Sequence, residues 1–172
     1  YGIVFTDEKG GRHHPLILHC SPSGAIERDV YALLERAHLV QRKGGTPTLP
    51  LWLQPTQIRM IPVSERVLQD VEKIAEKLGG VHGPARVDID DRPVTVDRKV
   101  RDAELEWIEY ILVVGPRELK SGLFTVRKRS TREMLQLSLE ALAEAVRTET
   151  ARKPFLALTL PRLLSKRPQF PG

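Results

Sequence analysis

The sequence has almost no cysteine and no long apolar run. Cys20 is the only cysteine among the 172 residues, so an internal disulfide is excluded and a reducing compartment is the expected environment. No apolar run approaches the ~20 residues that a membrane-spanning helix needs. The first residues also lack the pattern of a signal peptide. These absences predict a cytoplasmic protein without a membrane partner.

Basic residues are in moderate excess. The 27 Lys and Arg residues outnumber the 22 Asp and Glu residues, which gives a formal net charge of +5. Such an excess permits a nucleic-acid partner without requiring one. The length suffices for one domain, or for one domain and part of another. Because the chain begins with Tyr1 rather than Met, we expect a fragment, a processed product or the ordered part of a longer protein.

Residues 87–129 are the most strongly patterned stretch. The pattern predicts a strand at 87–90, a basic helix at 95–106, a strand at 108–114, a turn at 116–122 and a strand at 123–128. Short apolar segments rich in Val and Ile are typical of buried strands. The cationic side chains fall at the ends of these elements and on the helix, an arrangement that suits a surface contacting a polyanion.

The first 41 residues predict a hairpin followed by a helix. Strands are expected at 2–6 and 16–20, and apolar residues spaced by three and four predict a helix at 25–41. Two strands alone are only marginally stable. We therefore expect this hairpin to belong to a larger sheet.

Residues 42–50 are rich in Gly and Pro and mark a domain boundary. Beyond it, the pattern predicts a strand at 57–62, helices at 65–78 and 131–148, and an extended tail after residue 150. The tail contains three prolines, but its Leu and Phe residues are too apolar for a disordered segment. We expect it to pack on its own protein.

Residues 24–28, Gly-Ala-Ile-Glu-Arg, resemble motif 3 of the class II aminoacyl-tRNA synthetases, in which a strand leads into a helix. The resemblance implies that Arg28 contacts the phosphates of ATP. A guanidinium in the first turn of a helix suits that role, because the helix dipole also favours an anion there. The alternative is a surface arginine that pairs with Asp29 or Glu35.

His19 lies nine positions before Arg28, as does a zinc ligand of the threonyl-tRNA synthetases. The resemblance implies that His19 is one of three ligands of Zn²⁺, with a Cys and a His upstream of this chain. Cys20 would face the opposite side of the predicted strand, so it is not a co-ligand. Because catalytic zinc sites use three protein ligands, we do not expect the chain alone to hold the ion.

Residues 49–58, Leu-Pro-Leu-Trp-Leu-Gln-Pro-Thr-Gln-Ile, resemble the start of the anticodon-binding domain of threonyl-tRNA synthetases. The tail is similar to that of archaeal-type members. The chain is therefore identified as the carboxy-terminal part of such an enzyme: the end of the catalytic domain at 1–45, the anticodon-binding domain at 46–150 and the tail at 151–172. The implied fold is α/β, a mixed five-stranded sheet with flanking helices, preceded by a remnant of the antiparallel class II catalytic domain.

The resemblance also implies which side chains contact the tRNA. The anticodon-binding positions are Arg92, Arg101, Arg117, Glu118 and Arg127. Arginine can donate to guanine acceptors, and a glutamate can accept from an amino or imino group of a base. Candidate contacts to the phosphate backbone are Lys99, Lys120, Lys128 and Arg129. For each position the alternative is a solvated charge at the end of a strand.

As implied by the family, the parent enzyme activates threonine with ATP and Mg²⁺ and transfers it to threonine tRNA. It forms a homodimer through its catalytic domain. We expect this chain alone to be inactive, because the other class II motifs are absent from it. One alternative is a non-catalytic tRNA-binding module of an editing or accessory protein. Another is an unrelated α/β domain, which requires both resemblances to be accidental.

Overall fold

A computed structural model of the chain describes residues 2–22, 24–80 and 85–168. The chain divides into two units, residues 1–33 and 34–172. One has a two-stranded sheet and the other a five-stranded sheet. None of the described helices is both long and apolar enough to cross a bilayer.

The first unit contains a short hairpin. Strands β1 (Phe5–Thr6) and β2 (Arg12–His13) are antiparallel. The Asp7 carboxylate accepts hydrogen bonds from the backbone N–H groups of Lys9 and Gly11, at 2.9 and 2.7 Å. These bonds close the turn early, so the returning strand lies at 12–13 and not at the predicted 16–20. Residues 16–20 have no regular secondary structure.

Helix α1 (Ile26–Arg42) begins in the first unit and ends in the second. Glu27 and Asp29 lie in its first turn, where the helix dipole favours negative charge. The predicted helix is confirmed to within one residue at either end.

The second unit contains a mixed sheet with the strand order β4-β3-β5-β6-β7. The strands are β3 (Ile58–Pro62), β4 (Val87–Ile89), β5 (Tyr110–Val114), β6 (Phe124–Lys128) and β7 (Glu133–Leu137). Strand β3 runs parallel to β4 and β5, whereas β6 is antiparallel to both of its neighbours. The predicted α/β fold with a five-stranded mixed sheet is therefore confirmed.

Helices cover this sheet on both faces. They are α2 (Leu68–Gly79), α3 (Val96–Leu105), α4 (Pro116–Ser121) and α5 (Leu139–Glu149). The larger core joins α2 and α5 to one face of the sheet, through residues such as Val71, Met60 and Leu142. The smaller core joins α3 to the other face through Ala103 and Ile111.

Two elements of the second unit also differ from the sequence-based prediction. Residues 133–137 were predicted as part of a helix but form β7, which pairs with β6 along its whole length. Helix α5 starts later, where the Ser138 hydroxyl accepts from the N–H of Ala141. Residues 116–121 were predicted as a turn but form α4, which has Pro at its first position and ends at Gly122 with φ 70°. The strand β7 comes from its pairing with β6, which local patterning does not contain, whereas α4 is capped by its own residues.

An ion pair is buried between β3 and β4. The Arg59 guanidinium donates to both carboxylate oxygens of Asp88, at 2.9 and 2.8 Å, and to Glu106 at 2.7 Å. Both Arg59 and Asp88 are fully buried. Burial lowers the pKa of Arg59, but the two carboxylates outweigh it and raise the pKa above its ordinary value. The pair connects two strands to the segment that follows α3.

Residues 161–167 lie along the free edge of β4. The N–H of Ile89 donates to the carbonyl of Arg162 at 2.9 Å, and Leu163 forms a parallel bridge with Ile89. The N–H of Ser165 donates to Asp91, and Arg167 Nη2 lies 2.9 Å from Asp88. The tail thus supplies hydrogen bonds to an edge that would otherwise be open.

Candidate nucleic-acid interface

Helix α3 leaves part of its face of the sheet uncovered. The register places Arg127 of β6 between Ile111 of β5 and Met134 of β7, and Thr125 beside Gln136. Since alternate residues of a strand share a face, these side chains lie on the same face as α3, whose core includes Ile111. Two adjoining grooves of about 460 and 320 Å³ run between α3 and these strands.

The larger groove, here called the arginine groove, is lined by basic side chains from three segments. They are Arg101 of α3, Arg127 of β6, and Arg129 and Arg132 of the β6–β7 turn, together with Thr46, Glu104 and Leu105. Four guanidinium groups face one carboxylate, Glu104. A groove of this charge attracts an anion, and guanidinium groups match the geometry of phosphate.

Hydrogen bonds orient the arginines of this groove. Arg127 donates to the Glu104 carboxylate at 2.6 Å, and Arg129 donates to the backbone carbonyls of Glu104 and Pro47 at 2.8 and 2.6 Å. Arg132 donates to the Thr46 hydroxyl at 3.2 Å. Burial lowers the pKa of Arg129 from its ordinary value, yet an arginine stays charged at neutral pH. The groove is therefore partly preorganised for an anion.

Arg101 and Arg127, two of the five predicted anticodon-binding residues, meet in this groove. Arg117 and Glu118 lie on α4 and line neither groove. Arg117 is exposed, and its guanidinium makes no hydrogen bond to another described residue. Glu118 accepts a hydrogen bond from the N–H of Gly115 at 2.9 Å, so its carboxylate caps the helix that carries it.

Arg92, the fifth predicted contact, is held by two carboxylates. It donates to both oxygens of Asp90, at 2.8 and 2.6 Å, and to Asp102 at 3.1 Å. Burial raises the pKa of Asp90, but the hydrogen bonds from Arg92 and the charges of Arg92 and Lys99 outweigh it, so the pKa lies below its ordinary value. An RNA contact by Arg92 would compete with this pairing.

The four predicted phosphate contacts differ in exposure. Lys120 on α4 is exposed. Lys128 is half-buried and pairs with Glu149 at 2.6 Å, and Arg129 donates to backbone carbonyls. Lys99 is only 6% exposed and lies near Asp90. Of the four, Lys120 is best placed to contact a phosphate.

Arg28 and His19 lie in the first unit. Arg28 is exposed in the first turn of α1, after Gly24, whose φ of 77° is in the left-handed region. His19 is exposed in a segment without regular structure. Within 2–22, 24–80 and 85–168, no three His, Cys, Asp or Glu side chains are close enough together to hold a metal ion.

Several groove residues were missed by the sequence reasoning. Glu104, Arg132 and Met134 are brought to Arg127 only by the pairing of β7 with β6 and by the packing of α3. The sequence contains a weak strand signal, the alternation Leu-Gln-Leu at 135–137, but Leu, Met, Glu and Gln also favour helix. The order of the arginines along the chain alone did not identify the groove.

A family model described as an anticodon binding domain matches residues 57–149. Over nearly the whole chain, the sequence is similar to threonine–tRNA ligases. Identity is 50% over 98% of the chain for Cenarchaeum symbiosum, 48% over 99% for Methanothrix thermoacetophila and 48% over 100% for Pyrococcus horikoshii. The chain spans 27% of the length of each of these curated relatives.

A solved structure is also similar to this chain. It is the RNA binding domain of threonyl-tRNA synthetase from Cryptosporidium parvum, with a TM-score of 0.54 and 26% identity. The match covers 64% of this chain and 27% of that one. Fold and sequence therefore point to the same family.

Proposed function

Because the chain belongs to the anticodon-binding-domain family and is similar over its length to threonine–tRNA ligases, we propose that it is part of a threonine–tRNA ligase and binds the anticodon loop of threonine tRNA. The arginine groove is the observation that carries this proposal. Arg101 and Arg127, which the sequence assigned to the anticodon, both line this groove. Two further cations, Arg129 and Arg132, line it as well.

The chemistry of the groove suits single-stranded RNA. Loop nucleotides present phosphates together with unstacked bases, and proteins read them by stacking and by hydrogen bonds to base edges. Arg101 and Arg127 can donate to phosphate or to guanine acceptors. A second group of contacts lies on α4, where Arg117 and Lys120 are exposed and Glu118 is partly exposed. The paired or buried cations Arg92, Lys99 and Lys128 contribute to RNA binding through the electrostatic field of the protein.

The parent enzyme joins threonine to threonine tRNA, using ATP and Mg²⁺, in the cytoplasm and as a homodimer. Residues 1–45 belong to its catalytic domain, 46–150 bind the anticodon and 151–172 form the tail. In this scheme Arg28 stabilises the charge of the ATP phosphates. His19 supplies one of the three protein ligands that a catalytic zinc site uses.

The whole-length similarity includes the stretch from His19 to Arg28. That similarity supports the ligase and not a non-catalytic tRNA-binding module, because an accessory RNA-binding protein has no use for a phosphate-contacting arginine of a catalytic domain.

The proposal is tested by titrating the chain with a threonine tRNA transcript and with the same transcript carrying another anticodon. We expect tighter binding to the first, since loss of base-reading contacts costs ~1–3 kcal/mol per contact. Equal affinity for the two transcripts would contradict anticodon recognition. A transcript that lacks the acceptor stem is the matched control and should retain the preference.

A further inference from the structure

Two residues of the segment 42–50, here called the linker, contact the arginine groove. Thr46 lines the groove, and its hydroxyl accepts a hydrogen bond from Arg132 Nε at 3.2 Å. The carbonyl of the next residue, Pro47, accepts from Arg129 Nη1 at 2.6 Å. The bonded residues are 86 and 82 positions apart in sequence. A segment that the sequence marks only as a domain boundary therefore forms part of the groove.

The turn between β6 and β7 carries both arginines and is fixed from two sides. Arg132 has a φ of 61°, in the left-handed region that residues other than glycine rarely adopt. On one side of the turn, the Ser130 hydroxyl donates to the buried carboxylate of Glu109, just before β5. On the other side is the linker. Because an unfavourable backbone conformation persists only where its surroundings hold it, the bond from Thr46 helps to keep Arg132 in place.

Arg129 and Arg132 differ from Arg127 in their partners. Arg127 is paired with Glu104, whereas the other two arginines form no ion pair with a carboxylate of the described residues. Arg132 uses only Nε for the bond to Thr46, so both of its Nη groups can donate to a phosphate. Arg129 is held through Nε and Nη1. The linker thus orients these guanidinium groups without occupying all of their donors.

We propose that Thr46 and Pro47 are positioning residues for RNA binding. They hold Arg132 and Arg129 toward the groove, and a phosphate bound by these arginines in turn holds the linker in place. This inference rests on the proposed function. A contact that favours the bound state raises the affinity, and by linkage the bound RNA stabilises that contact by the same factor. Occupancy of the groove is thereby coupled to the conformation of the linker.

The first test removes the linker hydroxyl that binds Arg132. Thr46→Val keeps the branched shape of the side chain and should weaken binding of a threonine tRNA transcript by about two- to tenfold, as expected for the loss of one hydrogen bond. Thr46→Ser keeps the hydroxyl and should restore the affinity of the unaltered chain. Binding by Thr46→Val that equals that of the unaltered chain would overturn the inference. So would a failure of Thr46→Ser to restore binding.

Thr48→Val is the matched control. The Thr48 hydroxyl donates to the carbonyl of Leu49 and accepts from the amide of Gln54, at 3.2 and 3.1 Å. Thr48 lines neither groove, so we expect this variant to bind the transcript as the unaltered chain does. Urea unfolding measures the stability of both valine variants. A loss of affinity that simply follows the loss of stability in the two variants would overturn the positioning role.

The second test measures the linker itself. Lys43 is exposed near the start of the linker, and trypsin cleaves after lysine where the chain can leave its folded position. Saturating transcript should slow this cleavage in the unaltered chain and in Thr48→Val. The slowing should be about two- to tenfold smaller in Thr46→Val, because the coupling is reciprocal. RNA that only covers Lys43 would slow cleavage equally in all three chains, and that result would overturn the coupling.

The outcomes also separate this inference from the proposed function. If the unaltered chain does not bind the transcript, the proposed function is contradicted. If it binds the transcript specifically and Thr46→Val changes neither the affinity nor the cleavage at Lys43, the proposed function stands and the linker has no part in it.

Discussion

Glu118 can serve both the fold and RNA recognition. One carboxylate oxygen, Oε2, accepts from the N–H of Gly115 and caps α4. The other oxygen has no hydrogen-bond partner among the described residues and can accept from a base. A substitution that keeps the cap while removing the charge therefore separates the two roles.

We expect Glu118→Gln to weaken binding of the cognate anticodon by roughly 1–3 kcal/mol with little change in stability, because the amide oxygen still accepts from Gly115. Glu118→Ala should have the same effect on binding and should also lower the free energy of unfolding by about 0.5–2 kcal/mol, as lost caps do. Titration with cognate and anticodon-swapped tRNA, together with urea unfolding, measures both effects. If either substitution weakens the binding of both tRNAs equally, Glu118 does not contact a base in a sequence-specific way.

Asp90 depends on Arg92 for its negative charge. Its folded-state pKa is lowered, since the hydrogen bonds and charges outweigh burial. The stabilisation from Asp90 is therefore fully present above the unfolded-state pKa of ~4 and is lost as pH falls through the lower, folded-state pKa. Removal of Arg92 leaves burial as the dominant influence and raises the folded-state pKa.

We therefore expect Arg92→Met to lower the free energy of unfolding at neutral pH by about 1–3 kcal/mol. The loss should shrink as the pH falls, because protonated Asp90 no longer depends on Arg92 for its charge. Urea unfolding at neutral and acid pH measures the difference. Arg98→Met is the control, because Arg98 is exposed and pairs with Asp102 but not with Asp90. The same pH-dependent loss for both variants would show that Asp90 is not the responsible group.

At the scale of elements, β4 needs the tail as a partner. Its edge residue Ile89 donates to the carbonyl of Arg162, and Asp91 just beyond it binds Ser165. Open strand edges promote association between chains. The tail therefore contributes hydrogen bonds and also shields this edge.

Ending the chain after residue 160 should lower the free energy of unfolding by about 1–3 kcal/mol, as buried donors left without partners do. It should also cause concentration-dependent association. Urea unfolding and light scattering measure the two effects. Ser165→Ala, which removes one hydroxyl contact and keeps the edge covered, should show neither effect beyond about 1 kcal/mol. A monomeric truncated chain of unchanged stability would contradict this role for the tail.

At the scale of the whole molecule, the positive charge predicts that RNA binding weakens as the salt concentration rises. With a net charge of +5 and four arginines in one groove, binding should release counterions. The logarithm of the affinity should then fall with the logarithm of salt concentration by about 0.7 for each phosphate neutralised on a single strand. We expect Arg132→Ala to flatten this slope by about 0.7 on cognate and swapped tRNA alike.

Leu123→Ala serves as the control, because Leu123 is exposed and lines neither groove, and it should leave the slope as it is. An unchanged slope for Arg132→Ala would mean that no phosphate lies in the part of the arginine groove next to Thr46.

Local patterning alone determined the order of the strands and of the longer helices of the second unit up to residue 128, although it did not predict α4. The 3.6-residue periodicity of residues 65–78 and the Val- and Ile-rich run at 108–114 are properties of neighbouring residues, and both elements form as predicted. The stretch around Trp52 and the spacing from His19 to Arg28 were enough to indicate the family. Both are patterns of residue type and spacing along the chain, so they can be recognised without knowing any tertiary contact.

Tertiary structure decided what depends on residues far apart in sequence. Residues 133–137 have side chains common in helices, but the open hydrogen-bonding edge of β6 makes them a strand. The same pairing puts Met134 beside Arg127, and the packing of α3 brings Glu104 to Arg127 across 23 residues. Tertiary structure also decided which cations remain available to RNA. Arg92 has carboxylate partners and Lys99 is buried, and neither property follows from residue type.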